Sequence, residues 1–100
     1  MSEQKGQKRK VQVQLRVDDD VAQGIYANMA MVNHTDAEFT IDFVYIQPQA
    51  PQAKVRSRII TSPKHLKRLV SALQDNLSRY EAKYGPVDMG MAPPPGEFKH

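Results

Sequence analysis

The stretch Ser62-Pro63-Lys64-His65-Leu66-Lys67-Arg68-Leu69-Val70-Ser71-Ala72-Leu73-Gln74-Asp75-Asn76-Leu77-Ser78-Arg79-Tyr80-Glu81-Ala82-Lys83-Tyr84-Gly85-Pro86 carries its own start and stop marks. Ser62 offers a hydroxyl to a free helical N–H, and Pro63 suits a first helical position because its missing N–H would be unpaired there. Gly85 followed by Pro86 ends the run. Between these marks, apolar residues fall at 66, 69, 70, 73, 77, 80 and 84, the spacing of one helix face. The segment therefore reads as a single long amphipathic helix, and such a helix needs a surface to cover.

Upstream, the period changes from 3.6 to two. Val11, Val13, Leu15 and Val17 alternate with Gln12, Gln14 and Arg16, which predicts a strand with one buried face. Asp18-Asp19-Asp20 ends it, and Gln23-Gly24 offers a turn. A second strand is expected from Ile25 to about His34, with a hairpin loop at Asn33-His34-Thr35-Asp36. A third runs through Phe39, Ile41, Phe43 and Tyr45, rich in aromatic and β-branched residues. The prolines of Gln47–Ala53 predict an exposed loop, and Lys54 to Thr61 a fourth strand.

Four strands and a helix with short links predict an α+β fold: a four-stranded antiparallel sheet, meander or Greek key, covered on one face by the C-terminal helix. The helix stripe would then lie on Val13, Leu15, Phe39, Ile41, Phe43 and Ile59. Strands of eight residues span roughly 26 Å and a helix of twenty-two roughly 33 Å, so Tyr80 and Tyr84 are expected to overhang the sheet. The expected organisation is a basic disordered tail over 1–10, one domain over 11–85, and a disordered tail over 86–100. That last segment holds four prolines and two glycines, a composition that builds no core.

One hundred residues make one small domain, whose limited core favours oligomerisation. The absence of Cys excludes disulfides, a thiolate nucleophile and Cys-ligated zinc, and fits a reducing compartment. No apolar run is long enough to span a bilayer, and the basic N-terminus lacks the apolar segment of a signal peptide, so a cytoplasmic protein is expected.

The net charge of +3 hides a segregation: residues 17–53 hold six acids and no Lys or Arg, while residues 54–68 hold six bases and no acid. Arg56, Arg58, Lys64, Lys67 and Arg68 therefore form a candidate anion or nucleic-acid site. Lys64, Lys67 and Arg68 stand on the first turns, where the helix dipole disfavours cations, by a few tenths to about 1 kcal/mol each. The competing reading pairs Arg56 and Arg58 with Glu38 and Asp42 across the hairpin and leaves the lysines solvated. No nucleic-acid-binding motif supports the first reading.

The predicted second sheet face carries Tyr26, Val32, Val44, Ile46 and Ile60 among its charges. With Tyr80 and Tyr84, these are the candidate self-association residues, for a dimer or tetramer. The three consecutive acids lack the spacing of a calcium loop, the three His lie far apart, and no Ser has a nucleophile's context. Neither an enzyme nor a cofactor is expected.

The residues Ser62-Pro63-Lys64-His65-Leu66-Lys67-Arg68-Leu69, Ala72-Leu73, Asn76, Tyr80-Glu81 and Tyr84-Gly85 resemble the C-terminal signature of a short bacterial family known only as a domain of unknown function. Gly24-Ile25-Tyr26-Ala27-Asn28, His34, Glu38-Phe39 and Asp42-Phe43 extend the resemblance over residues 11–85. It implies a small bacterial protein and assigns no site residue. The layout alone, without a residue motif, is similar to the export chaperones of the SecB type, tetramers that hold unfolded chains. The expected function is that of a non-enzymatic, self-associating interaction module with a possible protein partner. Nucleic-acid or phosphate binding through segment 54–68 and a SecB-like holdase are the alternatives.

Overall fold

The structure, a computed structural model, describes residues 11–50 and 52–90. The expected basic tail at 1–10 and the part of the Pro-rich tail beyond residue 90 lie outside the described residues. A short helix, α1 (Asp19–Ala22), precedes three strands, β1 (Met29–His34), β2 (Phe39–Gln47) and β3 (Gln52–Thr61), and a long helix, α2 (Pro63–Tyr84), follows. The strands form one antiparallel sheet in the order β1-β2-β3, a meander.

Local chemistry explains the boundaries. The acidic run does not end a strand; Asp18 caps α1, its carbonyl accepting from the N–H groups of Val21 and Ala22 at 3.0 and 2.8 Å. Asp19 and Asp20 sit in the first turn, where the dipole favours anions. Gly24 makes the expected turn at φ +74°.

β1 begins at Met29 rather than Ile25 because Asn28 takes over the ladder with its side chain. The Ile46 N–H donates to Asn28 Oδ1 at 2.8 Å, and Asn28 Nδ2 donates to the Ile46 carbonyl at 3.0 Å. The chain before Asn28 is thereby released from pairing. The β1–β2 loop is held by Thr35, whose Oγ1 accepts from the N–H groups of Ala37 and Glu38, both at 3.1 Å.

Two expectations fail. Residues 11–18 form neither helix nor strand, so the sheet has three strands and not four among the described residues. Val11, Val13, Leu15 and Val17 are all exposed, Leu15 at 90%. Alternation specifies which face a strand would bury, but a strand exists only where another chain edge supplies hydrogen bonds.

The second correction is larger. α2 does not lie along the sheet: none of its residues is buried, and the extensive contacts between elements are those of β2 with its two neighbours. The link between β3 and α2 is the single residue Ser62, extended at φ −82° and ψ 161°. One extended residue gives the chain no loop with which to fold the helix back. Within the helix, the local signals hold as expected. The His65 N–H donates to Ser62 Oγ at 3.2 Å, and Gly85 closes the C-terminus at φ +99°.

The core is correspondingly thin and belongs to β2. Its buried residues are Ile41, Asp42 and Val44, at 5%, 1% and 2% exposure.

Candidate association surface

Cross-strand register sorts the side chains into two faces. Val32 stands opposite Ile41 and His34 opposite Phe39, while Ile41 and Phe43 stand opposite Ile59 and Ser57. This first face is apolar, with Val32, Phe43 and Ile59 exposed beside buried Ile41. The His34 and Phe39 rings stack at 5.2 Å. At one end of this face, Phe43, Ser57 and Ile59 meet Asp20, Val21, Gly24, Ile25 and Ala27 around an open cavity of about 630 Å³. Its walls are mostly apolar and bring together no pair of groups suited to acid–base chemistry.

The second face carries Asp42, Val44 and Ile46 on β2, opposite Arg58, Val55 and Ala53 on β3. Arg58 holds the Asp42 carboxylate with both arms, Nε to Oδ1 at 2.7 Å and Nη2 to Oδ2 at 2.9 Å. Burying a carboxylate is tolerated only where charge and hydrogen bonds compensate, and this planar fork supplies both. The hydrogen bond first, and the nearby negative charge second, raise the Arg58 pKa above its ordinary value. A raised folded-state pKa contributes stability below the unfolded value and loses it only as pH climbs through the raised one. On the arginine side the pair therefore persists through neutral and mildly alkaline pH.

The five bases of the candidate anion site are thus in different situations. Arg58 is engaged by Asp42. Arg56 has no cross-strand partner, because the register shifts beside Phe43 and Val44 so that β3 carries one extra residue there. Lys64, Lys67 and Arg68 are exposed on the first turns of α2, and among the described residues none of them makes an ion pair. Glu38 makes no ion pair to Arg56 either.

The candidate self-association residues also divide. Val44 is already buried within one chain. Ile46 and Ile60 share its face, whereas Val32 sits on the other face beside Ile41. Tyr26 meets Tyr45 edge to face at 6.1 Å, and Tyr80 and Tyr84 lie 4.9 Å apart on α2.

α2 exposes an apolar stripe along its length. Leu69, Val70, Leu73, Leu77, Tyr80 and Tyr84 are between 39% and 66% exposed, with Leu66 somewhat more covered at the start of the stripe. The sequence marked these positions for burial, but it held no signal that their own sheet would not cover them. Asn28 was the other omission: inside the expected second strand it reads as one more outward residue, and only the hydrogen bonds to Ile46 show its amide standing in for a backbone pair. Among the described residues no group of His, Asp and Glu comes together as a metal site, and no helix is long and apolar enough to cross a membrane.

The family model described as "Protein of unknown function (DUF3467)" matches residues 1–89. No curated protein and no solved structure matches the chain.

Proposed function

We propose that this chain, which belongs to the DUF3467 family of proteins of unknown function, is a self-associating, non-enzymatic interaction module whose core is completed by further copies of itself. The observation that carries this reading is the apolar stripe of α2, formed on a well-capped helix and left in water along its length. A contiguous apolar stripe exposed on a helix, rimmed by polar residues, marks an interaction site. The exposed first sheet face and the alternating residues 11–17 add to it.

Magnitudes say how much surface the assembly requires. Burying the exposed parts of Leu66, Val70, Leu73 and Leu77 on two chains contributes on the order of 10 kcal/mol. Lost translational and rotational freedom costs about 4–15 kcal/mol. The helix stripe alone is therefore marginal, and the sheet face or residues 11–17 contribute to a stable oligomer. The Cys-free composition and mild charge fit a bacterial cytoplasmic setting for this role.

Mass measurement by light scattering or sedimentation tests the reading. The native chain is expected at a multiple of its 11.3 kDa mass, with Leu73→Asp shifted to a single chain. A native chain that stays monomeric at high micromolar concentration contradicts it. The phosphate-binding alternative receives less support, since Arg58 is committed to Asp42.

A further inference from the structure

We infer that α2 pairs with α2 of a second copy in antiparallel orientation and in one register, setting Leu66 against Tyr84, Val70 against Tyr80, and Leu73 against Leu77. The inference rests on the self-association proposed above and adds to it the surface, the direction and the alignment.

The spacing of the stripe is the first argument. Leu66, Val70, Leu73, Leu77, Tyr80 and Tyr84 recur at steps of four, three, four, three and four. This alternation is that of the core positions of a two-helix coiled coil, the four steps from Leu66 to Tyr80 covering two seven-residue repeats. Leu69 widens the stripe beside its first turns, and beyond it the seam keeps only the two positions per heptad that suit another helix.

Charge then chooses the direction. In a parallel pair, Lys64, Lys67 and Arg68 of both copies would crowd one end, six cations together with Lys67 beside the seam. In the antiparallel pair they lie a helix length apart, roughly 33 Å for twenty-two residues. Lys67 and Glu81 both flank the seam on the same side, so each Lys67 comes beside Glu81 of the second copy, twice by symmetry. Glu81 is already held at its helix end, its Oε2 accepting from the Val87 N–H at 2.9 Å.

The residues that would meet their own copies near the two-fold axis are Gln74 and Asn76, both uncharged. The antiparallel pair also resolves the placement of cations in the first turns of α2. Each cluster then lies beside the negative end of the other helix's dipole.

Size is complementary as well. The bulky Tyr84 and Tyr80 meet Leu66 and Val70, and the two tyrosines arrive at the end where the other copy's sheet begins.

The chain has no Cys, so introduced thiols report on α2 alone. Leu66→Cys and Tyr84→Cys single variants would be mixed, equilibrated and oxidised, or joined with a short bis-maleimide, and the linkages read by peptide mass. The expected product is the 66-to-84 link between chains, with each variant alone giving little covalent dimer. Predominant 66-to-66 and 84-to-84 links overturn the antiparallel direction. An oligomeric mass without a 66-to-84 link overturns the register while leaving self-association standing, and a monomeric mass overturns both.

A second arm avoids core substitutions. Lys67→Glu is expected to weaken the dimer about tenfold in Kd, and adding Glu81→Lys to restore it to within about threefold. Failure of the double variant to recover overturns the assigned pairing.

Discussion

The central strand β2 and the helix α2 are built by opposite means. β2 has a code of alternation only, with Phe39, Ile41, Phe43 and Tyr45 marking one face and Asp42 standing on the other, and no cap or stop mark of its own. Yet it holds every buried residue among those described, because neighbours flank it on both edges. α2 has a complete local code, with cap, proline, periodic stripe and terminal glycine, and it buries nothing. Local signals decide that a helix forms and where it ends, whereas burial depends on what the rest of the chain can bring to it.

The comparison sets the order of effects expected from substitution. Ile41→Ala removes a buried side chain from a core too small to spare one, and about 2–5 kcal/mol of stability is expected to go with it, measured by urea unfolding. The loss is expected at every protein concentration, because Ile41 is buried within one chain. A loss that vanished on dilution would place Ile41 at an interface and blur the contrast with α2.

Asp42→Asn keeps the shape but removes the charge that Arg58 grips. A decrease of about 1–3 kcal/mol is expected by the same unfolding measurement. An unchanged midpoint would mean that the pair only positions β3 against β2.

Ser62→Ala tests the helix's local code. Loss of the cap on the His65 N–H is expected to cost about 1 kcal/mol in unfolding, and to weaken self-association as α2 frays. Weaker self-association with unchanged stability of the sheet would show that the two regions fold as separate units.

Much of this was legible in the residues. The limits of α2 follow from chemistry local to each end, and β2 and β3 were evident from β-branched and aromatic alternation. The Asp42–Arg58 pair was available as one of two readings, since opposite charges on adjacent strands attract. Asn28 was not legible, because a side chain standing in for backbone leaves no periodic trace. Residues 11–17 misled for a related reason: Val11, Val13, Leu15 and Val17 describe a face without naming the edge that would pair with it. The placement of α2 turned on Ser62, one extended residue where a fold-back needs a longer loop, and helical periodicity carries no information about such a link.

The claim that α2 finds its burial in another copy is tested most directly by hydrogen exchange at two protein concentrations, one far above and one far below the dissociation midpoint. Amides of residues 66–84 are expected to be strongly protected in the concentrated sample and to lose that protection on dilution, while those of β2 stay as they were. Protection of α2 that does not change with concentration, in a chain that remains a monomer throughout, would contradict the account.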